Sequence, residues 1–150
     1  MARRILYLVG HYPSVSETFV EREIRGLREL GLEIDVFPLL PFAPFRALQT
    51  LLLNPSAAWK SSKTARIKRW VRILSAVPAA RRAQHIHAHF LGMPAIVAHG
   101  LSQALDVPYS LTGHARDVYV EHTPPAVIAG ACFRTTCTEA ARRYLLARYP

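Results

Sequence analysis

Three histidines alternate in His85-Ile86-His87-Ala88-His89-Phe90, and imidazole is the side chain that both ligates metals and moves protons near neutral pH. In an extended segment the period of two puts His85, His87 and His89 on one face. At a rise of roughly 3.3 Å per residue the outer two stand about 13 Å apart. Metal–nitrogen bonds are about 2 Å, so one ion cannot take all three. An adjacent pair can serve, as in hydrolases that use an HxH on a strand, if further carboxylate or histidine ligands come from distant positions. The other reading, and the one adopted, has no metal. His89 then faces a ligand cleft at the C-terminal end of the strand, and His85 lies near its solvent end.

Two turns offer a different chemistry. Gly10 closes the apolar run Ile5-Leu6-Tyr7-Leu8-Val9 and leads through Pro13 into Ser14, Ser16, Glu17 and Thr18. The spacings Ser14 to Glu17 and Thr18 to Glu21 both match a capping box. Free backbone N–H groups at such a helix start attract anions or sugar hydroxyls, although Ser16 and Thr18 can equally serve as plain caps. The second turn is Gly113-His114-Ala115-Arg116-Asp117, after Tyr109-Ser110-Leu111-Thr112. In an open α/β sheet ligands bind outside the carboxyl ends of the strands, at the point where strand order reverses. His114 and Asp117 are then candidates for hydrogen bonds to sugar hydroxyls or phosphate. Alternatively Asp117 caps a short helix and His114 fills a loop. The spacing leaves both readings open.

For these groups to meet, the chain must fold as a parallel sheet. The pattern predicts strand Arg3–Val9, helix Glu17–Leu30 ended by a left-handed Gly31, and strand Glu33–Leu39, a β-α-β unit with a right-handed crossover. Pro38, Pro41 and Pro44 break the next stretch. Short and long helices over 46–53 and 57–77 follow, the second ended by Pro78, so that about 43–78 reads as a basic helical insertion. Strands at Gln84–Phe90, Tyr109–Thr112 and Cys132–Cys137 alternate with helices at Met93–Leu105, Pro125–Gly130 and from Thr138 to Arg148. The fold class is α/β, Rossmann-like and doubly wound with a mainly parallel sheet, in a single domain of 150 residues.

Nineteen basic against 10 acidic residues give a formal charge of +9, so anionic partners are expected. Trp59, Lys60, Lys63, Arg66, Lys68, Arg69, Trp70 and Arg72 gather in the predicted long helix. They read either as an interfacial element on anionic lipid or as a solvated face over the sheet. A nucleic-acid patch is not expected, because no aromatic-interleaved platform accompanies the charge. Cys132 and Cys137 lie an odd number of residues apart, which on a strand puts them on opposite faces and prevents a bridge. Two unpaired thiols fit a reducing compartment, and neither has a catalytic setting visible in the sequence. No apolar run reaches the roughly 18 residues that span a bilayer, and the chain reads as cytoplasmic. GxGxxG, P-loop, GxSxG and CxxC motifs are absent from the sequence.

The segment PSVSETFVEREIRGLRELGLEIDVF, Pro13 to Phe37, resembles the opening of the family 4-like GT-B glycosyltransferases, of the bacterial exopolysaccharide and colanic-acid type. The likeness continues in HIHAHF at His85–Phe90 and VPYSLTGHARDVY at Val107–Tyr119, and weakly over Phe133–Leu145. It implies a retaining transferase that moves a sugar from a nucleotide-sugar donor to a saccharide or lipid-linked acceptor, peripheral at the inner face of the membrane. No cofactor is implied beyond the donor itself. The likeness covers only the N-terminal, acceptor-side domain, so the chain is expected to be one half of such an enzyme, without the nucleotide-holding half. Carried over by position, Gly10, Ser16, Glu17 and Thr18 would border the cleft. His114 would position the donor sugar near the reacting carbon, Asp117 would support its loop, and His89 would line the acceptor side.

Overall fold

A computed structural model describes residues 3–14, 17–39, 73–120 and 123–149. The predicted insertion at about 43–78 falls mostly outside them, as do Ser16 and the eight Trp, Lys and Arg residues expected at a lipid surface. The described elements run β1 (Arg4–Val9), α1 (Thr18–Glu29), β2 (Glu33–Pro38), α2 (Val77–Arg82), β3 (His85–His89), α3 (Met93–Leu105), β4 (Tyr109–Gly113), α4 (Ala115–Tyr119), α5 (Pro125–Ala129), β5 (Arg134–Thr136) and α6 (Glu139–Arg148). The five strands form one all-parallel sheet in the order β2-β1-β3-β4-β5. This is the α/β, Rossmann-like architecture expected, with the reversal of strand order between β1 and β3. No helix among the described residues is long and apolar enough to cross a membrane.

Alternation divides the sheet into two unlike faces. Leu6, Leu8, Ile86, Ala88 and Leu111 point to one side and join Ala80, Ala95, Ala98, Leu101, Ile128 and Leu145 in the main core, under α2, α3, α5 and α6. Tyr7, Val9 and Ile34 point to the other side, where Val20 and Ile24 of α1 cover them. Beyond β1 this second face becomes polar: His87 stands beside Tyr7, Ser110 beside His87, and Thr135 beside Thr112.

The termini of α1 show what local chemistry decides. Gly31, at φ +84°, ends the helix, with Leu32 N–H bonded to Leu27 O and Gly31 N–H to Arg28 O, a Schellman closure. Neither expected capping box forms at the other end. Glu17 is the N-cap without a side-chain bond, and Thr18 is already helical, so its hydroxyl is one position too late to cap. Pro78 also departs from expectation. It stands in the first turn of α2 rather than closing the preceding helix, a position that needs no N–H donor. The edge strand β5 is shorter than expected, which leaves both cysteines outside it, exposed and free.

Candidate functional site

The polar face of the sheet is a connected network. His85 Nε2 lies 2.7 Å and His87 Nδ1 2.8 Å from Ser110 Oγ; His87 Nε2 lies 3.1 Å from Thr112 Oγ1, itself 2.6 Å from Thr135 Oγ1. The Tyr7 ring packs on His87 at 4.6 Å and its hydroxyl donates to Glu23 Oε1 of α1 at 2.6 Å. Burial, then the Glu23 carboxylate, raises the Tyr7 phenol well above its ordinary range. Burial, then the His85 imidazole, pushes His87 down to about 4, and burial, then the His87 and His114 imidazoles, pushes His89 to about 3, so both rings are neutral at pH 7. A cavity of about 210 Å³ lies over this network, between Glu23, Leu27 and Phe133.

At the C-terminal rim the network continues through a second series of contacts. His89 Nε2 meets His114 Nε2 at 2.8 Å, and His114 Nδ1 meets Cys137 Sγ at 2.8 Å. His89 Nδ1 has no hydrogen-bond partner among the described residues and faces Glu23 Oε2 at 3.9 Å. One set of proton positions suits every member: the Cys137 thiol donates to His114, His114 Nε2–H donates to His89, and the remaining His89 N–H points at the carboxylate. The opposite set would aim a bare lone pair of His89 at a negative charge. Burial and the charges of Asp117 and Glu23 raise the Cys137 thiol, which keeps it protonated as a donor.

Aromatic packing and one strained residue hold this rim. Phe19 of α1 lies 4.6 Å from the His114 ring, and Phe90 lies 4.9 Å from it and 5.2 Å from His89. Phe90 adopts φ +81°, in the left-handed region that costs a residue with a side chain about 1–3 kcal/mol. Its N–H bond to Thr112 O and its packed ring hold it there. Asp117 ties two strand ends together: Oδ1 accepts from His114 N–H at 2.8 Å and Oδ2 from Leu91 N–H at 2.6 Å. The helix-cap reading of Asp117 is therefore realised, and it reaches a neighbouring loop as well.

The predicted site residues separate into three groups. Gly10, His114 and Asp117 come together around a recess of about 270 Å³, also bordered by Phe90, Met93 and Arg116. His89 does not face an open cleft. It is fully enclosed and reaches the recess only through His114, because Phe19 and Phe90 close over it. Glu17 and Thr18 begin α1 and do not border that recess. A larger groove of about 510 Å³ runs beside Thr136, Cys137 and Arg142, next to the same rim.

Sequence reasoning missed Glu23 and Cys137. The signal for Glu23 was present: it stands three residues after Val20 and four before Leu27, on the inward stripe of α1. Glu23, His87 and His89 bring donor atoms within 4.8 Å of one another, so α1 places a carboxylate beside the HxH pair that the sequence spacing alone does not reveal. No family model matches the chain, and comparison with curated proteins finds no match.

Proposed function

We propose that the chain is the N-terminal, acceptor-side domain of a retaining glycosyltransferase with the GT-B fold, which transfers a hexose from a nucleotide-sugar to a saccharide or lipid-linked acceptor in cell-surface polysaccharide synthesis. The observation that carries this reading is the meeting of Gly10, His114 and Asp117 around one recess at the C-terminal rim. His114 and Asp117 belong to one stretch that resembles this family and Gly10 lies just before another, and the parallel sheet gathers them around one recess. In this reading the sugar transfer itself uses no metal or cofactor beyond the nucleotide-sugar donor.

The residues suit positioning more than proton abstraction. In same-face transfer the leaving group assists the attack, and the protein supplies orientation and charge stabilisation. His114 offers an imidazole edge at the recess, oriented from behind by His89 and from the side by Cys137. Asp117 has both oxygens committed to backbone N–H groups, so its part is to hold the His114 loop. The test is His114→Ala in the protein carrying both halves. Transfer from nucleotide-sugar to a lipid-linked saccharide fraction is expected to fall about tenfold or more. Unchanged turnover removes His114 from the site, and no transfer from any nucleotide-sugar by the unaltered enzyme removes the reading itself.

The basic stretch from Trp59 to Arg72 and the net charge of +9 favour an anionic membrane surface as the place of work, at the cytoplasmic face. Co-sedimentation with anionic vesicles at low salt, lost at high salt, is the expected result. Equal recovery with and without vesicles excludes it.

A further inference from the structure

We infer that Glu23, His87 and His89 form a binding site for a divalent transition-metal ion of the zinc class, with an open coordination position towards the cavity over the polar sheet face. The inference is independent of the sugar-transfer reading and rests on three observations. The first is the donor set: two imidazoles and one carboxylate, from β3 and α1, with ligand atoms within 4.8 Å. Nitrogen and oxygen donors of this kind suit zinc and its neighbours in the first transition row.

The second is the orphaned nitrogen. His89 Nδ1 is fully buried, has no hydrogen-bond partner among the described residues and stands 3.9 Å from Glu23 Oε2. That is too long for a hydrogen bond, and shorter than the about 4.6 Å across which a single water joins two groups at its tetrahedral angle. Bonds of about 2.0–2.2 Å at a tetrahedral ion bring such atoms to about 3.4 Å. A small pivot of the half-exposed Glu23 carboxylate about its Oε1 bond to Tyr7 would bring Oε2 the remaining half-ångström.

The third is what surrounds the ligands. A ligating histidine usually donates its other ring N–H to an outer partner, and His89 Nε2 already meets His114. Binding then shifts the His89 proton from Nδ1 to Nε2 and the His114 proton from Nε2 to Nδ1, with no net proton released, and the exposed Cys137 S–H turns away so that its sulfur accepts from His114 Nδ1–H. His87 must surrender one hydroxyl bond, and neither hydroxyl is stranded by it: Ser110 keeps His85, and Thr112 keeps Thr135. Glu23 and His87 also line the 210 Å³ cavity, which leaves the fourth position open. Three protein ligands and one open position is the pattern of reactive rather than structural zinc.

The full chain, stripped with chelator and dialysed against Zn²⁺, is expected to retain one equivalent by elemental analysis and to gain thermal stability. Replacement by Co²⁺ is expected to produce the visible absorption of a low-coordinate ion. Glu23→Gln, a change on a partly exposed helix position, should weaken Zn²⁺ binding at least about tenfold while circular dichroism stays unchanged. Cys132→Ser, at an exposed thiol outside the network, should leave binding intact. Failure to retain stoichiometric Zn²⁺, retention insensitive to Glu23→Gln, or loss on Cys132→Ser each overturns the site. His87→Ala should likewise lose Zn²⁺ retention, and if it does not fold, the Glu23 and Cys132 variants still decide.

Discussion

The buried imidazoles make protonation a structural event at single residues. In the folded chain His87 is held at about 4 and His89 at about 3, against an ordinary 6.5. Below pH 6.5 the unfolded chain takes up protons that the folded chain refuses, so stability falls as pH falls from about 6.5 toward 4 and is fully present above it. For His87 alone the loss is roughly 3 kcal/mol at the bottom of that window, and the coupled His89 deepens it. Urea midpoints at pH 7.5, 5.5 and 4.5 measure the slope. His87→Gln should flatten it, and a profile with the same slope in both proteins would show that His87 does not titrate. Asp117 is the other residue with a decisive role, because its carboxylate satisfies two N–H groups at once. Asp117→Ala should cost about 2 kcal/mol or more, and a shift in urea midpoint below about 0.5 kcal/mol would contradict the geometry.

Among the elements, the ends of helices and strands carry the sharpest constraints. Gly113 ends β4 where any Cβ would come within 2.8 Å of Val118 and 3.1 Å of Leu91. Both neighbours belong to the main core, so they cannot move freely. Gly113→Ala is expected to destabilise by about 1–3 kcal/mol through overpacking, and a thermal midpoint equal to that of the parent would refute the close approach. Gly31 differs: a Cβ there meets open space, and the cost comes from φ +84° alone. Gly31→Ala should therefore cost about 1 kcal/mol, and Gly31→Asn less, because asparagine tolerates the left-handed region. Equal losses for both would point to a steric cause instead.

For the molecule as a whole, the two faces of the sheet have different tasks. The face under α2, α3, α5 and α6 holds the larger apolar cluster, and the α1 face holds a small apolar patch beside a polar network. Leu8→Ala, at a fully enclosed position of the first face, should cost about 2–5 kcal/mol. Substitutions in the polar network, such as Ser110→Ala, should cost less, about 1–3 kcal/mol, because the hydroxyl bonds to His85 Nε2 and His87 Nδ1 are lost while His87 Nε2 keeps Thr112 and no large apolar cavity opens. A larger loss for Ser110→Ala than for Leu8→Ala, measured by denaturant titration, would reverse that division. The uneven faces also explain why function gathers on one side. A sheet face not filled by aliphatic side chains can offer donors to a ligand without opening the core.

Much of this architecture was legible in the chain because it depends on local period and local turns. The apolar run at Ile5–Val9, the stripe Val20, Ile24 and Leu27, and Gly31 at the end of α1 each act within a few residues, so strands, helices and their parallel order could be read in sequence. The alternation of His85, His87 and His89 also placed those rings on one face. What stands opposite them was decided by tertiary structure. Glu23 reaches His89 across 66 positions of sequence, and Cys137 meets His114 only because β4 and β5 pair in one particular register. The enclosure of His89 has the same origin, since Phe19 and Phe90 come from different elements. Spacing within a segment sets which way a side chain points; only the packing of segments sets what it meets.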